Sequence, residues 1–282
     1  MRKSFFGRTG LEISEIALGG GVTGGILITA SEATRWSALQ CAVAGGINWI
    51  DTAPFYGWGR AEEVVARAVR GRDDVLIFTK CGTMRRDDGD DYMDLRPETI
   101  RADVEGSLRR LGVERLDLLQ LHDRDPKVPI EESWGAVLEL VAEGKVRHGG
   151  ISNHRAEEIE RALAVGPVAG LQVQYSALER GVEEKILPLA LEHGLGVIVW
   201  APLASGFLTD GFSVDELAPD DFRRTHPFAQ QDLTELRQTL RDDDGSVFRG
   251  ALQFVLAHPA VTGAIVGARN EQEGRELAAF AA

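Results

Sequence analysis

Short apolar runs alternate with longer stretches of helical period along almost the whole chain. Eight runs read as strands: "SEIALGG", "INWID", "VLIFTK", "RLDLLQLHD", "VRHGGIS", "GLQVQYS", "GVIVWAP" and "GAIVG". Many are nearly all apolar, as expected of strands covered on both faces. The stretches between them are helical. "SEATRWSALQCAVAGG" has Ser31 as its N-cap and Gly45 as its stop. "AEEVVARAV" puts Ala61, Val64, Val65, Ala68 and Val69 on one face. "RPETIRADVEGSLRRLG" opens with Pro97 in a first-turn position and ends at Gly112. "IEESWGAVLELVAEG", "RAEEIERALAVG", "VEEKILPLALEHG", "SVFRGALQFVLAHP" and a closing "NEQEGRELAAFAA" follow. Ahead of the first strand, "RKSFFGRTGLEIS" predicts two short β runs around the turn Gly7 to Gly10.

Alternation of this kind predicts parallel βαβ units, hence the α/β class. Eight units predict a single (β/α)8 TIM barrel, for which ~250 residues is typical, here with an N-terminal β-hairpin. No linker or charge-biased half divides the 282 residues, so residues 1–282 read as one domain. An open doubly wound sheet is the rival. "GGGVTG", Gly19 to Gly24, satisfies GxGxxG after a strand, and Asp51 ends the next strand as a ribose-binding acid would. That fingerprint needs a helix opening inside the glycine run, whereas "ILITA" intervenes and the best cap is Ser31. The weakly patterned stretches 81–95 and 205–231 both follow strands, as βα loops. In a barrel such loops open on the C-terminal face, where active sites lie.

Composition narrows the function classes. Hydrophobic content of 44% with 27% charged residues is that of a globular chain with a sizeable core. A formal net charge of −13 argues against nucleic acid or an anionic membrane surface as partner, so an anionic ligand would need a local positive site. Cys41 and Cys81 show no CxxC spacing and read as free thiols. "MRKSFFGRTGLEIS" has no long apolar core of a signal peptide, and no window approaches the ~20 apolar residues of a membrane span. A cytoplasmic location is the expectation.

Polar residues at the strand ends would converge on one bowl. Asp51 ends the second strand, with Tyr56 just beyond; Lys80 ends the third, His122 the fourth, and Ser152 and Asn153 the fifth. Gln172 lies in the sixth and Trp200 ends the seventh. A phenol has a pKa near 10, too high for easy proton exchange at neutral pH. A neighbouring ammonium favours the phenolate, and a carboxylate can hold that ammonium in place. An imidazole beside the phenol can orient a carbonyl oxygen. Tyr56, Lys80, Asp51 and His122 thus form a tuned general acid aimed at an oxygen that becomes an alkoxide. No side chain in the set can reduce a carbonyl, so hydride must come from a cofactor.

At these residues the chain resembles the aldo-keto reductases, nearly end to end. "DTAPFYGWGRAEEVVARA" matches that family's second-strand signature, "FTKCG" its lysine strand, "LDLLQLHDRDP" its histidine strand and "GGISNH" its amide-binding turn. The resemblance implies a (β/α)8 barrel with an N-terminal hairpin across its bottom, and NAD(P)H bound extended. It makes Tyr56 the proton donor, tuned by Lys80 and Asp51, with His122 orienting the carbonyl. Ser152, Asn153 and Gln172 would hold the nicotinamide carboxamide, with Gly21, Val22 and Asp51 also in contact with the cofactor. Trp200 stands where the family puts an aromatic on the nicotinamide ring, and indole supplies a larger apolar face. "APLASGFL" resembles the loop over the pyrophosphate, implicating Ala201, Pro202, Leu203, Ser205, Gly206 and Leu208. "GARN", Gly267 to Asn270, places Arg269 to meet a 2′-phosphate. Glu273 falls where many members carry Arg or Gln, and a carboxylate there would repel that phosphate. NADP(H) stays favoured on the habit of the family it resembles, with NAD(H) as the alternative.

A small-molecule carbonyl or sugar is the expected substrate; the short tail "AAFAA" suggests an open cleft, and Asp123 after His122 suits a polar ligand. Two other classes fit parts of the pattern. A Schiff-base aldolase would use Lys80 as nucleophile but leaves Ser152, Asn153, Gln172 and Trp200 unexplained. A redox-sensing module would bind the cofactor and turn over slowly. A metal-dependent hydrolase lacks His ligands at the first strand end.

Overall fold

The computed structural model describes residues 1–21, 26–268 and 270–280. β1 (Lys3–Phe5) and β2 (Glu12–Ser14) form the antiparallel N-terminal hairpin. Eight parallel strands then close on themselves: β3 (Ile16–Gly19), β4 (Trp49–Asp51), β5 (Leu76–Cys81), β8 (Leu116–Leu121), β9 (Val146–Ser152), β10 (Gly170–Gln174), β11 (Gly196–Trp200) and β12 (Val261–Val266). β12 pairs back onto β3, so the sheet has no edge and the open doubly wound alternative is excluded. The helices between strands are α1 (Ile26–Thr29), a single turn, α2 (Glu32–Ala44), α3 (Arg60–Val69), α4 (Pro97–Leu111), α5 (Ile130–Ala142), α6 (Ala156–Val165), α7 (Ile186–His193), α8 (Thr234–Leu240) and α9 (Val247–Leu256), with α10 (Glu271–Phe280) closing the chain. No helix among the described residues is long and apolar enough to cross a membrane.

The local signals act as expected. Ser31 caps α2, its hydroxyl accepting from the Thr34 N–H. α4 starts at Pro97 and ends at Gly112, whose φ of 67° is left-handed. The barrel floor is sealed by the turn between β1 and β2, which delivers the buried Phe6 against Leu11, Ile13, Trp49, Phe78 and Ile198. A Cβ on Gly170 would come within 2.2 Å of the Phe6 ring, and one on Gly196 within 2.3 Å, so only glycine admits the plug at these two strand starts. Above this apolar layer the inward positions turn polar. In β5, Phe78 faces in, Thr79 faces the helices, and Lys80 faces in again; Asp51, Gln120 and Gln172 are buried at the same level.

Three regions differ from the periodicity reading. In α3 the buried residues include Glu62, wholly inaccessible, as well as Ala61, Val65 and Val69, while Val64 and Ala68 are only partly buried. Glu62 accepts from the Thr79 hydroxyl at 2.8 Å and pairs with Arg110 at 2.7 Å, so its charge is compensated. The two long βα loops are also structured. Residues 83–93 form a second hairpin, β6 (Thr83–Arg85) with β7 (Asp91–Met93), closed by an Arg85–Asp91 ion pair and a turn containing Gly89 at φ 95°. Residues 204–230 fold into short 3-10 turns around their own apolar cluster of Phe207, Leu208 and Phe228, onto which Leu233, Leu240 and Val247 pack.

Candidate active site

A cleft of about 860 Å³ opens at the C-terminal ends of the barrel strands. Asp51, the last residue of β4, lines it, and Lys80, the last but one of β5, stands behind. Asp51 and Lys80 are almost fully buried and form an ion pair of 2.6 Å. Lys80 Nζ also donates to the Thr52 carbonyl at 3.1 Å and to Tyr56 Oη at 3.1 Å. All three ammonium protons therefore have acceptors. The second Asp51 oxygen accepts from Gln172 Nε2 at 2.7 Å. Tyr56 arrives through a tight turn in which Gly57, Trp58 and Gly59 all have positive φ. Its backbone N–H donates to Ala53 O, and its ring lies beside Gly21, where a Cβ would stand 3.5 Å from Cζ.

Electrostatics correct one part of the sequence reading. Burial pushes the Tyr56 phenol above its ordinary value, and Asp51 adds to that; Lys80 works downward without prevailing. The phenol is thus held protonated. Burial also works against the Lys80 ammonium, but Asp51 and Tyr56 outweigh it and raise its pKa. Lys80 is consequently a charged group sealed behind Tyr56, the opposite of the neutral, exposed amine a Schiff-base aldolase needs.

His122 follows β8 and stands edge-on to the Tyr56 ring, with centroids 5.8 Å apart. Loss of solvent, reinforced by the Lys80 charge, pushes its pKa down to about 3, so the imidazole is neutral. Its Nδ1 lies 2.9 Å from Thr83 Oγ1. Phe55 packs edge-on against both His122 and Trp58, giving this side of the cleft an aromatic wall.

The amide turn after β9 is tightly specified. Asn153 has a left-handed φ of 58°; its Nδ2 donates to His122 O at 3.2 Å, and its Oδ1 accepts from Trp200 Nε1 at 2.8 Å. His154 Nδ1 donates to Ser152 O at 2.7 Å. Ser152 Oγ is buried and has no hydrogen-bond partner among the described residues. An orphaned buried hydroxyl next to an amide turn is a ready position for one further polar group.

Most residues expected at the cofactor line this cleft: Gly21, Asp51, Asn153, Gln172, Trp200 and Gly267 do, as do Ala201, Pro202, Leu203, Ser205 and Gly206 in the turn after β11. That turn is unusual, since Ala201, Ala204, Ser205 and Gly206 all have positive φ. Leu208 and Ser152 do not line the cleft: Leu208 is fully buried in the loop's own apolar cluster, and Ser152 is fully buried at the end of β9. Val22 and Arg269 lie outside the described residues.

Two arginines were missed by the sequence reading. Arg223 lines the cleft from the 3-10 segment Phe222–Thr225, held by two bonds to Asp221 at 2.9 and 2.6 Å and by Ser205 O at 3.4 Å. The Arg223 guanidinium holds the Asp221 carboxyl down at about 2. Arg249 lines the end formed by α9 and α10, together with Glu273 and Glu276. These arginines are local positive groups in a chain of net charge −13. Their only sequence signal was position in or after a long loop on the functional face.

The arrangement is therefore a protonated phenol on a buried ammonium–carboxylate pair, a neutral imidazole beside it, and a long cleft with an indole, an amide turn and two arginines. Comparison with known proteins agrees. The model for the Aldo/keto reductase family matches residues 15–281. A probable aldo-keto reductase 1 of Glycine max is 35% identical over 78% of this chain and 65% of its own length. The aldo-keto reductase YhdN of Bacillus subtilis (strain 168) is 33% identical over 93% of this chain and 83% of that protein. Among solved structures, the glycerol dehydrogenase AKR11B4 from Gluconobacter oxydans superposes with a TM-score of 0.89 at 32% identity, covering 99% of this chain and 89% of that one. By sequence along nearly its full length and by its barrel, this chain belongs to the aldo/keto reductase family of oxidoreductases.

Proposed function

We propose that the protein interconverts a small carbonyl compound and its alcohol using a nicotinamide cofactor, with Tyr56 as the general acid in reduction and the base in oxidation. The observation that carries this reading is that Tyr56 lines the cleft with its Oη 3.1 Å from a Lys80 ammonium that is itself locked to Asp51. When bound, the cofactor supplies the hydride that no side chain can. Asn153, Gln172 and the orphaned Ser152 hydroxyl would hold its carboxamide, Trp200 its ring, and the turn 201–206 with Arg223 its phosphates. His122 directs the carbonyl oxygen towards Tyr56. The phenol then gives up its proton as charge develops on that oxygen, and Lys80 stabilises the phenolate left behind. The substrate is a small aldehyde, ketone or sugar-like carbonyl, and its alcohol in the reverse direction, in keeping with the relative that is a glycerol dehydrogenase. NADP(H) is favoured over NAD(H) because the Arg249 guanidinium lines the α9–α10 end, where it can meet a 2′-phosphate.

Titration of the purified protein with NADPH and with NADH, followed by quenching of tryptophan fluorescence and checked by calorimetry, tests the cofactor reading. Saturable quenching is expected, with the tighter affinity for NADPH. Tighter NADH binding would assign the α9–α10 end to Glu273 and Glu276 instead; binding of neither would remove the hydride source.

The electrostatics also set the pH dependence. Reduction needs Tyr56 protonated, so its rate should be flat across about pH 5–8 and fall only as pH climbs through the raised phenol pKa. Alcohol oxidation needs the phenolate and should rise with pH over the same range. Because His122 is neutral down to about 3, neither profile should show an inflection near 6.5. Such an inflection, lost in His122→Asn, would show that the imidazole titrates during turnover.

A further inference from the structure

We propose that the Thr83 hydroxyl fixes the tautomer of His122, donating to Nδ1 so that Nε2 carries the ring's single proton; Thr83 is thus a positioning residue for the imidazole. The proposal rests on the reading of His122 as the group that orients the carbonyl. A neutral imidazole has one N–H and one lone pair, and which nitrogen keeps the proton is decided by the partner of the other. Thr83 Oγ1 stands 2.9 Å from Nδ1. Its other neighbour is Met93 Sδ at 3.6 Å, a thioether and a weak acceptor. The hydroxyl has a single proton: given to Nδ1 it meets a close, strong acceptor, whereas an Nδ1–H donating to Oγ1 would leave that proton only the distant thioether. Nδ1 therefore accepts, and Nε2–H is left as a donor. The opposite tautomer would present a bare lone pair at Nε2, which repels a carbonyl oxygen.

The placement of Thr83 is specified from several sides. It opens β6, opposite Met93 in the hairpin register. Gly82 before it has φ 95°, and a Cβ there would meet Leu95 Cδ2 at 2.3 Å, so the chain must turn tightly at this point. The Gly82 N–H donates to Asp103 Oδ2 on α4 at 2.8 Å, and Gly82 O accepts from Asp94 N at 2.8 Å. One short segment thus serves both reacting partners. Lys80 at the end of β5 reaches Tyr56, and Thr83, three residues on, reaches His122.

The test is nitrogen NMR of the full-length protein labelled with 15N in its histidine rings, with the His122 signals assigned by their loss in His122→Asn. In the wild type, Nε2 should appear protonated and Nδ1 as a hydrogen-bonded, unprotonated nitrogen. Thr83→Val should shift Nδ1 towards the unbonded value and mix the tautomers, while Thr83→Ser keeps the wild-type pattern. Carbonyl reduction should fall about tenfold in kcat in Thr83→Val and recover in Thr83→Ser. A protonated Nδ1 in the wild type overturns the proposal, even if the valine variant fails to fold. Unchanged nitrogen signals in Thr83→Val overturn it as well. An Nε2–H tautomer that depends on Thr83 in a protein without carbonyl turnover would uphold the role of Thr83 and remove the catalytic reading of His122.

Discussion

Tyr56→Phe should lower kcat for carbonyl reduction by at least ~10²–10⁴-fold, the range for loss of a positioned general acid, while leaving cofactor affinity close to that of the wild type. The substitution deletes one oxygen, the atom that takes a hydrogen bond from Lys80 and is to supply the proton. It keeps the ring that lies beside Gly21 and meets the edges of Phe55 and His122. Lys80 retains Asp51 and the Thr52 carbonyl, so the buried ion pair stays compensated and the fold should hold. Steady-state turnover, measured beside a fluorescence titration of the cofactor, separates the two effects. Turnover within about tenfold of wild type would mean that the proton comes from another group, and Tyr56 would be part of the cleft wall only.

Lys80→Met should have a second large effect, on stability as well as on turnover. Lys80 and Asp51 are both nearly inaccessible, and their 2.6 Å contact lies between the apolar barrel floor and the cleft. Removing one partner of such a pair leaves the other charge buried, at a typical cost of about 3–5 kcal/mol. For a chain of this length that corresponds to a fall in thermal midpoint on the order of 10 °C, at roughly 2–4 °C per kcal/mol. Asp51 would keep its bond from Gln172 Nε2, which moderates but does not replace the lost ammonium. The double variant Lys80→Met/Asp51→Asn removes both charges and should recover much of the midpoint, since a neutral pair of similar volume costs far less than one buried carboxylate. It should recover no activity, because the phenol would still lack its cation. Additive losses in the double variant would show that the two residues are not coupled as the structure places them.

The barrel was legible because its signals are local. Strand and helix periods, the Ser31 cap, Pro97 and the left-handed Gly112 each act within a few residues of chain, and the closed sheet follows from repeating them. The polar cluster proposed as catalytic was legible for a related reason. Residues at the ends of parallel barrel strands lie on one face, so Asp51, Lys80, His122 and Asn153 can be gathered from the strand pattern alone. What stayed hidden depends on partners far apart in the chain. The apolar face drawn for α3 omitted Glu62, which is buried because Thr79 and Arg110 reach it from β5 and α4. The stretches 81–95 and 205–231 have weak periodicity, so neither the hairpin carrying Thr83 nor the turns carrying Arg223 could be read from pattern; cross-strand pairing and a private apolar cluster shape them. The phenol pKa is the sharpest case. Counting charges around Tyr56 points downward, because Lys80 is its nearest ion, but the direction is set by how much water the folded cleft removes. Strand order and spacing along the chain are enough to say which groups meet and on which face of the barrel. How dry their meeting place is depends on the packing of distant segments, and this desolvation, a property of everything packed around a group, holds Tyr56 protonated and His122 neutral.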